Sequence, residues 1–227
     1  MFENKFIKKL IPYVNTSQTP WHLSKGVNCA KLDWNEGTHV PPFLVNRAKE
    51  LILDNRIYNW YPDVECLEIT KALTLKLGVN FNKILVYPGS DIALDDICRT
   101  FLDPYDNVAQ LVPTYGNFKV FVESCGGQCL NFNMLEFSLS NFKKFCDKIK
   151  KSNPKIIYMV SPNNPCGYSI PEEILKTTLN EFSNSLFILD QAYVEFNDLV
   201  DMTRLTNSFS NLIITRTFSK AYGLAGF

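Results

Sequence analysis

The chain ends on Thr215-Arg216-Thr217-Phe218-Ser219-Lys220-Ala221-Tyr222-Gly223-Leu224-Ala225-Gly226-Phe227. Immediately before it stands Leu212-Ile213-Ile214, an apolar and β-branched run of the kind that forms a buried strand. A strand that gives way to hydroxyls, a single lysine and small residues predicts a crowded turn where backbone approaches a ligand closely. A phosphorylated cofactor is one such ligand. The same residues also fit a solvated lysine in an ordinary turn, so the rest of the chain has to decide between the two.

Working back from that end, short apolar runs alternate with amphipathic stretches, the pattern of parallel strands joined by crossover helices. Ile84–Tyr87, Val108–Val112, Cys129–Asn133, Ile156–Val160, Leu186–Leu189 and Leu212–Ile214 read as strands. Helices are predicted through Ala93–Phe101, through Phe118–Val122, through Phe142–Ile149 and after Pro171-Glu172-Glu173, where acidic residues suit the positive end of a helix. Further upstream, Pro41-Pro42 opens a helix through Ile52. Another runs from about Val64 to Leu77 and stops at Gly78. Residues 2 to 11 carry Phe2, Phe6, Ile7, Leu10 and Ile11 at helical spacing, which predicts a helical arm that packs on its own body or on a second subunit, with a membrane-surface helix as the alternative.

Composition narrows the partners. Over 227 residues, 23 Lys+Arg balance 23 Asp+Glu, so no net charge recruits nucleic acid or an anionic membrane. No apolar run has transmembrane length. Seven cysteines form no CxxC pair, and His22 and His39 lie far from most of them, so no metal site is expected. Cys125 and Cys129 could approach one another, but the odd count and the absence of a signal peptide favour reduced thiols in a cytoplasm. The expected partner is a small molecule or another subunit.

In an open α/β sheet, ligands bind beyond the carboxyl ends of the strands. Those ends carry Gly89-Ser90-Asp91, Pro113-Thr114-Tyr115, Pro162-Asn163-Asn164-Pro165-Cys166-Gly167, Asp190-Gln191-Ala192-Tyr193 and Thr217-Phe218-Ser219-Lys220. Neither GxGxxG nor GxxxxGK occurs, so dinucleotide and P-loop readings lack support. Ser90 and Asp91 offer backbone N–H groups at a helix start, a phosphate seat or a plain cap. Tyr115 offers a flat face, or a core ring. Asn164 offers an amide within a proline turn. Asp190 is the most telling, because a carboxylate closing a buried strand is costly unless a cation pairs with it. A neighbouring arginine would serve as well as a ligand.

Taken together with Asn35-Glu36 and Tyr61-Pro62-Asp63, these motifs resemble the fold type I pyridoxal-phosphate enzymes, specifically the histidinol-phosphate aminotransferase-like group. The resemblance runs from about Asn35 to the last residue. It implies a three-layer α/β/α large domain with a mostly parallel sheet over residues 41–227, preceded by an arm over 1–40. Pyridoxal 5'-phosphate is the implied cofactor, with Lys220 forming the Schiff base and acting as the catalytic residue. Asp190 would pair with the pyridine nitrogen, and Asn164 and Tyr193 with the phenolic oxygen. Tyr115 would stack on the ring. Ser90, Asp91, Thr217 and Ser219 would hold the phosphate, and Tyr61 would reach in from the second subunit of a homodimer. Val112-Pro113 and Asn164-Pro165 would be cis. The implied reaction moves an amino group between an amino acid, possibly phosphorylated, and a 2-oxo acid. Decarboxylation of a phosphorylated amino acid, or a non-catalytic remnant, are the alternatives.

The chain also departs from the pattern. Cys166 stands where threonine is usual, Ile92 where an acidic residue is common, and Gly37-Thr38-His39 where a proline-containing run is usual. The family's phosphate-gripping arginine after the lysine and its C-terminal small domain are absent from these 227 residues, which implies a truncated large domain. The expectation that follows is a lysine loop left to fray, and little or no turnover by this chain alone.

Overall fold

Five of the apolar runs pair in parallel, in the order β2-β1-β3-β4-β5, in a computed structural model describing residues 2–11, 32–37, 40–54, 56–197 and 201–226. The strands are β1 (Asn107–Val112), β2 (Gln128–Asn133), β3 (Ile156–Val160), β4 (Leu186–Asp190) and β5 (Leu212–Thr215). Parallel sheets are covered on both faces, and the central strands read accordingly as unbroken apolar runs. All five residues of β3 are buried.

Alternation along the strands sorts their side chains between two cores. On one face Ala109, Leu111, Ile157, Met159, Phe187 and Leu189 meet the helices α5 (Leu139–Ser152) and α6 (Glu172–Glu181) through Phe142, Phe145, Ile149, Leu175 and Leu179. On the other, Val108, Ile156, Tyr158, Val160 and Ile188 meet α3 (Ser90–Phe101) and α4 (Asn117–Ser124) through Leu94, Cys98, Phe118 and Val122. The result is the three-layer α/β/α domain expected from the sequence.

Helix ends follow the local signals. Ser138 caps α5 by accepting from the Asn141 N–H (3.3 Å). The helix α1 (Pro42–Ile52) opens on a proline, and α2 (Leu67–Leu77) closes at Gly78, whose φ of +65° is the left-handed turn that glycine supplies cheaply. α2 starts three residues later than its apolar pattern suggests, because the Asp63 carboxylate caps it, accepting from the Leu67 N–H at 2.8 Å. Val112-Pro113 and Asn164-Pro165 are cis as expected, and Ser161-Pro162 is cis as well.

Two expected elements do not form. Ile84–Tyr87 is no strand: the sheet ends at β5, no strand among the described residues lies beside the segment, and Leu85 is 79% exposed. An apolar run without a partner leaves its backbone to water. The arm is not a helix either. Only Ile7–Lys9 forms a 3-10 turn, since so short a segment cannot offset helix nucleation. It is held instead by Phe6, whose ring meets Tyr105 edge-on (6.0 Å between centroids) and lies on Gly126. The reading of an arm packed on its own body thus holds for Phe6. Residues 12–31, with His22 and Cys29, and residues 38–39 lie outside the described residues.

Candidate active site

The chain runs from β1 outward to β2, then crosses back to place β3 on the other side of β1, so strand order reverses between β1 and β3. Crevices in open α/β sheets open at such a reversal, beyond the carboxyl ends. The loops leaving those two strands meet there, where Asn163 Nδ2 donates to the Pro113 carbonyl at 3.3 Å. Next to them a cleft of about 280 Å³ is lined by Asn35, Asn164, Pro165, Gly167, Tyr193 and Phe196, among others. The Asn164 amide makes no hydrogen bond among the described residues and faces this cleft. Its neighbour Asn163 is spent on structure, accepting from the Cys166 N–H at 3.0 Å.

Lys220 lies beside Tyr193, one of the residues lining the cleft. Its Nζ donates to the Trp34 carbonyl at 2.9 Å and stands 5.9 Å from the centre of the Tyr193 ring. The Tyr193 hydroxyl accepts from Asn35 Nδ2 at 3.1 Å. Ahead of the lysine, Thr217 Oγ1 donates to Ser219 Oγ at 2.8 Å and accepts from the Ser219 N–H at 3.0 Å, so the two hydroxyls sit side by side. The loop has contacts that its position near the end of the sequence did not suggest. Lys76 Nζ donates to the Tyr222 hydroxyl at 2.7 Å, Phe218 and Tyr222 pack edge-on, and the Leu224 N–H donates to the Phe218 carbonyl. A helix far upstream in sequence pins the turn that the sequence left without support.

Asp190 ends β4 on the α3/α4 face and is only 4% exposed. Its carboxylate accepts from the Tyr158 hydroxyl and the Ala192 N–H, each at 3.0 Å. No ion pair to Asp190 forms among the described residues. Burial pushes its pKa above the ordinary carboxylate value, despite those two bonds, and the nearby Asp91 charge pushes the same way. Arg216, the arginine nearest in sequence to the end of β5, is engaged elsewhere, with Glu195 and Asp201. At the start of α3, Asp91 accepts from the Tyr115 hydroxyl at 2.7 and 2.9 Å, and Asn117 Nδ2 donates to that hydroxyl at 2.8 Å. Gly89 turns the chain into this helix at φ +96°. The N–H groups of Ser90 and Asp91 have no intrahelical acceptor, as at every helix start.

The structure therefore places Asn164 and Tyr193 on one cleft, sets Lys220 beside Tyr193, and buries Asp190 at the carboxyl end of β4. Thr217 and Ser219 lie in the lysine loop, and Asp91 and Tyr115 join beside Ser90. Tyr61 stands apart, fully exposed. Four participants were not singled out from sequence: Tyr158, Asn117, Arg216 and the Trp34 carbonyl. Tyr158 carried a signal, being the one polar handle within the apolar Ile156–Val160 run. A backbone carbonyl carries none.

Comparison with known proteins agrees with this arrangement. The family model for aminotransferase class I and II matches residues 26–227. A dihydroxyacetone phosphate transaminase of Campylobacter jejuni is 34% identical over 229 residues, covering 100% of this chain and 62% of the relative. A histidinol-phosphate aminotransferase of Ruminiclostridium cellulolyticum is 34% identical over 225 residues, covering 97% of this chain and 60% of the relative. Among solved structures, a histidinol-phosphate aminotransferase from Sinorhizobium meliloti in complex with pyridoxal-5'-phosphate superposes with a TM-score of 0.83 at 25% identity, covering 99% of this chain and 61% of that one. A single mutant of Thermus thermophilus aspartate aminotransferase shares the fold at 20% identity, with a TM-score of 0.78, covering 100% of this chain and 63% of that one. The chain thus spans about three fifths of the length of the relatives it matches. With its sheet, its switch-point cleft and a family match over 26–227, the chain belongs to the class I and II aminotransferases.

Proposed function

We propose that this chain binds pyridoxal 5'-phosphate and serves an aminotransferase that moves an amino group between an amino acid and a 2-oxo acid. The observation that carries the reading is Asp190, a buried carboxylate at the carboxyl edge of the sheet with no cation paired to it among the described residues. Such a group is retained at a cost unless a positive ligand atom meets it, and a protonated pyridine nitrogen is one. The other residues fit the remainder of that cofactor. Asn164 and Tyr193 would hydrogen-bond the phenolic oxygen, and Tyr115 would offer its ring face. The N–H groups of Ser90 and Asp91, with the hydroxyls of Thr217 and Ser219, would hold the phosphate.

Bound there, pyridoxal phosphate supplies an electron sink for a bond broken at the substrate's α-carbon. The chain's own residues would do the rest. Asp190 would favour a proton on the ring nitrogen, since an anion beside it stabilises the charged form. Lys220 would be the residue that holds the cofactor and would move the proton at the substrate's α-carbon as a general base and acid. The relatives named for phosphorylated compounds support a phosphorylated substrate. Decarboxylation of such an amino acid, which uses the same constellation, is the alternative, and a non-catalytic remnant is a third.

The reading extends to a homodimer in a cytoplasm. Phe43, Leu53, Trp60, Tyr61 and Val64 are all at least 66% exposed, apolar groups that a second copy would cover, and Tyr61 would then serve the partner's site. The test is a single-turnover assay in which the chain is loaded with pyridoxal phosphate and mixed with histidinol phosphate or glutamate. Pyridoxamine phosphate that forms in the chain and not in Lys220→Ala, at whatever rate, supports transamination. Carbon dioxide release would favour the decarboxylase, and no Lys220-dependent product would leave the third reading, a non-catalytic remnant.

A further inference from the structure

Arg216 follows β5 directly, after Thr215, which lies in register with Asp190. Its side chain is 20% exposed, and the guanidinium donates from two nitrogens to two carboxylates, Glu195 and Asp201, at 2.5 Å each, and to Thr203 Oγ1 at 3.4 Å. Glu195 belongs to the 3-10 turn Val194–Phe196, two residues beyond Tyr193. Asp201 caps the 3-10 helix Met202–Asn207 by accepting from the Thr203 N–H. One planar cation therefore ties together the segment that bears Tyr193, the segment that leads into β5, and the segment that continues to Lys220.

A lysine would have to meet both acids from a single nitrogen, as Lys155 does with Asp103 and Asp106, whereas the guanidinium fork presents separate nitrogens to separate acids. Loss of the arginine would also leave Glu195 and Asp201 facing each other in a partly buried site without a counter-charge. Four residues beyond Lys220 the loop is already closed by the Leu224–Phe218 backbone bond, and Tyr222 is fastened to Lys76. Lys220 is thus suspended between two fixed points, of which Arg216 is the one that also fixes Tyr193.

We infer that Arg216, with Glu195 and Asp201, is a positioning residue that sets Lys220 against Tyr193, a role that rests on Lys220 being the cofactor-bearing lysine. The test is amide hydrogen exchange on the cofactor-free chain, paired with pyridoxal phosphate affinity measured by fluorescence quenching. In Arg216→Gln, amides of 193–197 and 216–224 should exchange about tenfold faster while those of β1, β3 and α5 keep their rates. The dissociation constant for pyridoxal phosphate should rise about tenfold, and Arg216→Lys should recover only part of it. If Arg216→Gln does not fold, Glu195→Gln gives the same comparison with the Asp201 pair intact. Exchange unchanged in those two segments, or raised equally through the sheet, or an affinity within about twofold of the unsubstituted chain, would overturn the proposal. Borohydride trapping of the cofactor at a lysine other than Lys220 would instead overturn the reading on which it rests.

Discussion

Replacing Tyr158 by phenylalanine removes a single oxygen from the floor of the candidate site and leaves the rest of the residue in place. The Tyr158 ring is fully buried and lies parallel to Phe118, with centroids 3.7 Å apart, so a phenyl group keeps the stack and the volume. What disappears is the hydroxyl that donates to Asp190 at 3.0 Å. A hydrogen bond to a charged group contributes about 1.5–3 kcal/mol, and here the loss leaves a buried carboxylate oxygen without a donor, so about 2 kcal/mol is expected at neutral pH. The pH dependence separates this from a generic packing loss. Burial already raises the Asp190 pKa, and the Tyr158 bond opposes that rise by favouring the ionised form. Tyr158 itself, raised well above its ordinary value by burial and then by the Asp190 charge, stays protonated throughout. The cost of Tyr158→Phe is therefore full where Asp190 is ionised and shrinks as pH falls through its folded-state pKa. Urea unfolding of both proteins, followed by fluorescence from neutral pH downward, measures it. A cost below about 0.5 kcal/mol at neutral pH, or one that does not shrink on acidification, would refute the reasoning.

Other substitutions probe the neighbouring parts. Asp190→Asn should weaken pyridoxal phosphate binding about ten- to a hundredfold by removing the anion that meets the ring nitrogen, as read by equilibrium titration. Asp201 has its carboxyl held below the ordinary range, because Thr203's bonds and the Arg216 charge outweigh a burial effect that pushes it up. Its contribution is thus present above the unfolded value of about 3.9 and lost as pH falls through the folded value, so Asp201→Asn should cost about 1 kcal/mol at neutral pH after solvent screening and nothing in strong acid. Gly126→Ala should cost about 1–2 kcal/mol in thermal unfolding, since φ is +84° and the added methyl would stand 2.8 Å from the Phe6 ring. Faster hydrogen exchange in residues 2–11 should accompany it.

The sheet was legible because burial on both faces leaves runs such as Ile156–Val160 and Leu186–Leu189 with no other use. Asp190 was legible for the converse reason, as a charge where the pattern called for none. Ile84–Tyr87 misled because strand formation belongs to a pair of segments, and periodicity reports only one of them. Lys220 was recognisable by its setting, yet what holds it was not. The Tyr222 clasp comes from Lys76 and the Nζ contact from a backbone carbonyl at Trp34, and neither leaves a trace near residue 220. Arg216 was hidden in a different way, since its acids are 21 and 15 residues away and each reads alone as a surface charge.

The central claim is that Lys220 is the residue that holds pyridoxal phosphate, and chemical trapping tests it most directly. The chain would be mixed with the cofactor, reduced with borohydride, digested and examined by mass spectrometry. The account requires one phosphopyridoxyl-modified lysine, at Lys220, with the modification absent from Lys220→Ala. Modification spread over surface lysines, or retained in Lys220→Ala, would contradict it.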